Sequence, residues 1–412
     1  MGTETLMIGL SVAVLVSYWF SHLGRVLRFP SVVFLLIAGL VLREVSDARD
    51  ATVLLPPGLL PVLGTIGLIL IVLEGGLDLN LKPGRRKFLF ATFSAATMGV
   101  LLTTAVLAAA FHYGLKLDWP LATLMAVPFG VISSAVAIPS SEVLVDEDRE
   151  YVIYESSWSD IIGVMLFNAV LLAVATGGRG ATINFFAGGL TVLVMGALIG
   201  LAVFWLVGHL EGHVKFLPLI FALILVYAGA KALHLSPLLI VLILGLMLNN
   251  PHLFLRFKVF ERLHSPDYRS ELDKLKHLTA EATFFVRTFF FLLLGYSTDM
   301  STLADGRTWL VAGVIVAAIF LLRWPVMQLL SLGRGVRPLL WAAPRGLITV
   351  LLFYSLPAGM VPEAFPPGAL ILVVLLSCVI MAFGFRADAG RKTVPEDDEI
   401  VRRVDARAAP PH

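Results

Sequence analysis

Cysteine is almost absent from this chain, charge is scarce, and no signature of soluble catalysis is present. The one cysteine, Cys378, stands in an apolar stretch, so no disulfide framework can form and a buried spectator thiol is expected. Charged residues make up 15% of the 412 positions, where a soluble chain carries about a quarter. No Ser-His-Asp set, His-Glu-x-x-His helix or Cys/His cluster is visible, which sets aside the common hydrolases and zinc enzymes. The net charge of +2 is spread over loops rather than one face, so no nucleic-acid partner is implied. Residues Met1 to Phe20 lack a charged n-region and a small-residue cleavage site, and are expected to remain as a first span.

What fills the chain instead is hydrocarbon. Hydrophobic residues reach 58% and the mean hydropathy is +0.89. About thirteen apolar segments have spanning length: 4–22, 29–45, 58–79, 88–112, 118–141, 151–176, 183–209, 215–232, 236–250, 278–298, 309–333, 336–357 and 367–385. The expected class is therefore an all-α polytopic membrane protein, with a membrane domain over 1–386 and a polar tail over 387–412. Residues 251–277 form a polar interruption, expected as an amphipathic cytoplasmic helix with His252, His264 and His277 on its surface. Lys and Arg alternate between loops: Arg25 and Arg28, Lys82 to Lys87, Arg256 to Lys276, Arg334 and Arg337, and the tail. The positive-inside rule then puts the amino terminus outside and the carboxyl terminus in the cytoplasm of a plasma-membrane protein.

The chain repeats itself. Pro30 begins segment two and Gly39 follows with Leu-Val-Leu; Pro237 begins segment nine and Gly245 follows with Leu-Met-Leu. Segment three ends Leu73-Glu74-Gly-Gly-Leu-Asp78, and segment ten ends Leu294-Gly295-Tyr-Ser-Thr-Asp299. An offset of seven helices is odd, so the copies face opposite ways: two inverted six-helix repeats about a linking seventh. In such folds, helices interrupted at matching positions bind ions at the midplane. The matching positions are segment five, with Pro139, and segment twelve, with Pro344 and Gly346. A proline there removes a backbone donor and frees the carbonyl four residues earlier.

Charges at membrane depth are few. Asp160 follows Glu155-Ser-Ser-Trp-Ser159 and precedes a stretch without charge. It lies about 15 Å above the Arg149/Glu150 edge, near the middle of a ~30 Å hydrocarbon layer. A carboxylate at that depth is a functional hypothesis by default. Arg287, Arg323 and Arg345 lie at similar depth, and each needs an anionic or carbonyl partner. Glu155 and Asp160 are about 140° apart around one helix, so they face different neighbours. Glu155 is expected to be the counter-ion of Arg323, leaving Asp160 free to exchange ligands. Glu74 is placed either at an entrance or beside Arg287.

These patches together resemble a known family. Glu155-Ser-x-x-Ser159-Asp160, Trp341-x-x-x-Arg345-Gly346, Leu73-Glu-Gly-Gly-Leu and Arg323-Trp-Pro-Val-Met look like signatures of the monovalent cation:proton antiporters, over nearly the whole hydrophobic region. The resemblance implies a homodimer, with dimerisation helices at about 4–45 and 183–250 and core helices at about 58–176 and 278–385. It also implies two broken helices crossing beside Asp160, an elevator-like slide of the core, and proton release when the cation binds. No cofactor is implied beyond the transported sodium, lithium or potassium ion and the proton. The expected ligands are Asp160, the Ser159 and Ser134 hydroxyls, and carbonyls near Ala137 and Ile138, since such an ion takes hard oxygen donors.

Two features depart from the family pattern. Ser159 stands where Asn or Asp is usual, and serine carries no titrating proton, which favours one-for-one electroneutral exchange. Ile138 precedes Pro139 where electroneutral members often have Thr-Asp-Pro, leaving Ser133, Ser134 and Ser140 as hydroxyl donors. A potassium/proton antiporter or efflux system of the same fold is the alternative. A gated cation channel would pass cations without proton counter-movement, and a sodium-coupled symporter of organic anions would not need Asp160 to titrate.

Overall fold

The structure is a computed structural model that describes residues 3–27, 29–49, 59–79, 85–175, 237–250, 266–333, 336–356, most of 359–389 and scattered positions between 198 and 230. The expected span 183–209 and much of 215–232 lie outside the described residues. So do His252, His264 and the tail from 390.

Among the described residues every regular element is a helix. They are α1 (Thr3–Leu27), α2 (Ser31–Asp47), α3 (Leu59–Asp78), α4 (Arg86–Leu115), α5 (Trp119–Gly130), α6 (Ser134–Ser140) and α7 (Asp146–Ala175). After the undescribed stretch come α8 (Pro237–Asn249), α9 (Pro266–Tyr296), α10 (Met300–Ala304), α11 (Gly306–Leu330), α12 (Val336–Trp341), α13 (Leu347–Tyr354) and α14 (Ala369–Ala389). Among the described residues six stretches are long and apolar enough to cross a membrane: α4, Trp119–Val143, α7, Leu272–Tyr296, α11 and Ala369–Ala387. Helices are what such sequences must form there, because each backbone polar group finds its partner within its own segment.

The helices sort into two groups. The α2, α3, α8 and α9 helices pack on one another as a panel, with α1 leaning on α2. The second group is α4, α5, α6, α7, α11, α12 and α14, with α13 reaching from it to α3. This packing differs from the division drawn on the sequence, which put 58–79 and 278–298 with the core. Small residues decide it: glycine lets α3 and α9 approach α8 and α2 more closely than any other side chain allows.

The contacts are two-fold. A Cβ on Gly39 of α2 would sit 2.2 Å from the Leu292 carbonyl oxygen and 2.9 Å from Gly295 Cα of α9. A Cβ on Gly245 of α8 would sit 2.9 Å from the Leu73 carbonyl oxygen and 3.0 Å from Gly76 Cα of α3. The repeat therefore pairs Gly39 with Gly245 and Gly295 with Gly76. Its register in the second pair is two residues away from the Asp78/Asp299 alignment. Asp299 has a local task instead, capping α10 by accepting the Ser301 N–H at 2.9 Å, which holds its carboxyl below the usual range.

Residues 266–277 belong to α9, which runs unbroken from Pro266 to Tyr296. A separate amphipathic helix ending at 277 is thus not what forms. At about 46 Å α9 exceeds the hydrocarbon thickness, so its polar first turns simply extend the span. At the same end of the molecule Arg85 chelates Glu150 with both guanidinium nitrogens, the Nη2–Oε2 distance being 2.7 Å, and lies over the Phe88 ring.

Candidate ion site at the crossed helices

Two spans are interrupted midway, at 131–133 between α5 and α6 and at 342–346 between α12 and α13. They touch at the interruptions. The Ser133 N–H donates to the Pro344 carbonyl at 2.9 Å, and a Cβ on Gly346 would lie 2.6 Å from Ser133 Oγ. A side chain at 346 would therefore crowd Ser133 and Val136 where the two spans cross.

The first break is not where the sequence puts it. Pro139 lies inside α6, and the chain opens upstream, just after Pro128 and Gly130. What holds it open is an account of its backbone donors. The Ile132 N–H goes to Ser159 Oγ at 2.9 Å, the Ser133 N–H to Pro344, and the Ser134 N–H to Asp160 Oδ2 at 3.4 Å. Val131 nests on α7 where Gly163 has no side chain, a Cβ there lying 2.2 Å from Val131 Cγ2. One turn of α7, from Ser159 to Gly163, therefore shapes the break.

Asp160 is buried and faces the first turn of α6, where unpaired N–H groups and the helix dipole favour an anion. Its Oδ1 finds no hydrogen-bond partner among the described residues, and neither does Ser133 Oγ. Among the described residues no guanidinium hydrogen-bonds to Asp160, although three arginines lie at similar depth in the sequence. Ser134 meets Asp160 through its backbone N–H, and its hydroxyl also interacts with the carboxylate. Ser159 is spent on Ile132. The carbonyls of Ala137 and Ile138 point the other way, into the cap made by Ser141, whose N–H reaches both and whose hydroxyl binds Ile138 at 2.7 Å. They are not presented to Asp160, because Asp160 meets the first residue of α6 while these carbonyls belong to its last turn.

The arginines have other work. Arg345 donates Nε to the Phe129 carbonyl at 2.6 Å and Nη1 to Ala343 at 3.2 Å, while Nη2 lies 3.5 Å from the Gly130 carbonyl. It thereby covers the carbonyl ends of both α5 and α12, where the dipole is negative. Ser377 Oγ accepts its backbone N–H at 2.9 Å, a support that sequence reading missed because an isolated serine in an apolar helix carries no signal. Arg323 grips Glu155 with two bonds of 2.7 and 2.8 Å and the Leu339 carbonyl with Nε at 2.8 Å. The fork matches a carboxylate, and it ties α11 to α7 and α12. Arg287 of α9 reaches the Ala135 carbonyl in α6 at 2.7 Å and interacts electrostatically with Glu74. On the side of α4 away from Arg86, Phe111, Phe129, Phe353 and Phe365 pack ring to ring with centroids 5.2–6.2 Å apart.

Comparison with known proteins agrees with this architecture. The family model for the transmembrane sodium/hydrogen exchanger matches residues 10–387. The Na(+)/H(+) antiporter NhaP of Pseudomonas aeruginosa is 24% identical over 345 residues, 78% of either chain. Human sodium/hydrogen exchanger 9B1 is 29% identical over 159 residues, 36% of this chain and 30% of the human one. Among solved structures, the sodium proton antiporter MjNhaP1 of Methanocaldococcus jannaschii at pH 8 superposes with a TM-score of 0.71 at 19% identity, covering 93% of this chain and 100% of that one.

Proposed function

The chain belongs to the sodium/hydrogen exchanger family, and from that premise we propose that Asp160 is the seat for which a monovalent cation and a proton compete. The protein is a multi-pass cation/proton antiporter, a carrier rather than an enzyme. The observation that carries the assignment is Asp160 Oδ1, a buried carboxylate oxygen left without a partner at the point where two broken helices cross. Protonated, the acid is neutral and at ease in a dry site; deprotonated, it needs a cation. The Ser134 hydroxyl, which interacts with Asp160, and the Ser133 hydroxyl, without a partner among the described residues, are the candidates for further oxygens.

Sodium is the favoured ion and potassium the alternative, since both take hard oxygen donors. Glu155 is held by Arg323 and Ser159 cannot ionise, so one acid titrates and one cation exchanges for one proton. The α4–α7 and α11–α14 group is the moving core, and the α2, α3, α8 and α9 panel its frame. Access alternates as the core slides. A homodimer built on the frame and the helices around it completes the carrier.

The test uses proteoliposomes carrying an internal pH dye, with sodium, lithium, potassium or rubidium added outside in turn. Wild-type protein should move protons against at least one of these ions. Asp160→Asn, whose amide neither ionises nor attracts a cation, should abolish the response. A cation-driven dye signal that survives the substitution would sink the assignment.

A further inference from the structure

One hydrogen bond crosses from the panel to the core at the ion site, and its acceptor is unusual. In α6 the carbonyl of Ala135 should receive the N–H of residue 139, four positions on, but residue 139 is proline and has none. Arg287 Nη1, from α9, fills that place at 2.7 Å. A carbonyl stripped of its helix donor is costly in a water-poor interior, so the guanidinium and the proline form a matched pair. Ala135 lies next to Ser134, whose N–H meets Asp160. On its own side Arg287 has an alternative anionic neighbour, Glu74 of α3, which also belongs to the panel.

We propose that Arg287 and the proline-freed Ala135 carbonyl form a latch that holds the core in the present position, and that the latch opens when the core slides, leaving Arg287 to Glu74. The latch presupposes the sliding core described under Proposed function. Arg287 is then a positioning residue: it touches neither cation nor proton, but sets how the two positions are populated. Its role differs from that of Arg323 and Arg345, whose hydrogen-bond partners among the described residues all lie within the core group and travel with it.

The experiment reads the position of the core directly. A Cβ on Gly67 of α3 would lie 3.4 Å from Leu347 Cδ2 of α13, so these two positions meet across the panel–core boundary in the present state. Gly67→Cys and Leu347→Cys are combined with Cys378→Ala, and a short bis-methanethiosulfonate bridges the two thiols as mixed disulfides, releasing methanesulfinate at each. If the bridged carrier exchanges at full rate, the sliding core is wrong, whatever Arg287 does. If bridging stops exchange, the latch is tested next. Arg287→Gln removes the donor, and Pro139→Ala returns a backbone N–H to Ala135 without touching any charge. A lost bond to a charged donor corresponds to a population shift of about tenfold or more, so the bridging rate should fall about tenfold in Arg287→Gln. It should fall by a smaller factor in Pro139→Ala, and the double variant should match Arg287→Gln alone. An unchanged rate in both variants overturns the latch and leaves the sliding core standing. A fall in Arg287→Gln alone overturns the Ala135 carbonyl as its partner. Should Arg287→Gln fail to fold, Pro139→Ala decides, since it keeps every charged group in place.

Discussion

Five charged side chains at membrane depth divide by the partner each has. Glu155 and Arg323 satisfy each other in a bidentate pair that is nearly inaccessible, with side-chain exposures of 2% and 6%. Removing one member of such a pair leaves an uncompensated buried charge, which costs about 3–5 kcal/mol. Glu155→Gln should therefore lower the melting temperature of the purified protein markedly, and adding Arg323→Gln should recover part of the loss. Strictly additive losses would show that the two side chains do not depend on each other. Asp160 is the opposite case, a buried acid met only by the N–H and hydroxyl of Ser134 among the described residues, with one oxygen unserved. If proton and cation share that seat, protons act as simple competitors. The half-saturating cation concentration should then rise about tenfold for each unit by which pH falls below the acid's own titration point, with the maximal rate unchanged. A fall in maximal rate at constant half-saturation would mean that the proton acts elsewhere. The sequence showed these residue types and their depths. It could not show that Ser159 would be turned to the Ile132 amide, because side-chain direction at the break depends on Val131 resting against Gly163.

At the scale of elements, two glycine crossings and two broken helices organise the molecule. Gly39 against Gly295 and Gly245 against Gly76 are related by the internal two-fold, but they are not equally tight. A methyl at Gly39 meets the Leu292 carbonyl oxygen at 2.2 Å, whereas one at Gly245 meets the Leu73 oxygen at 2.9 Å. Backbone atoms cannot swing aside as side-chain ends do. Overpacking at Gly39 should thus cost about 1–3 kcal/mol, and Gly39→Ala should unfold at lower temperature than Gly245→Ala. Equal stability of both variants and the parent would mean that the helices separate at no cost. The broken helices were legible as a matched pair, through proline and glycine at equivalent places of the repeat. Their exact opening was not, since Pro128 and Pro139 bracket it and each is tolerated inside a helix here. A proline removes one donor, but where the chain then unwinds depends on which neighbours can take up the other N–H groups.

For the whole molecule, a single titrating acid predicts exchange without net charge movement. Clamping the membrane potential of the proteoliposomes at zero, or leaving it free, should give the same rate of cation-driven proton flux. Acceleration under the clamp would require a second titrating group, with Glu155 or Glu74 the residues to examine. The family assignment rests on the whole length of the hydrophobic region, residues 10–387, and not on any one of these charges.

By itself the sequence determined the class, the approximate spans, the inverted repeat and the identity of the buried charges. Each follows from composition and spacing: a chain with 15% charged residues must place nearly all of them at ends and loops, so those that remain in the middle stand out. Only the tertiary structure decided how they are paired, where the helices open and which helices form the panel. Those outcomes depend on contacts between residues far apart in sequence, such as Arg323 with Glu155, Ser133 with Pro344, and Arg287 with Ala135. In a medium that offers no water, a polar group takes whichever partner the fold brings near, and that choice is made in three dimensions.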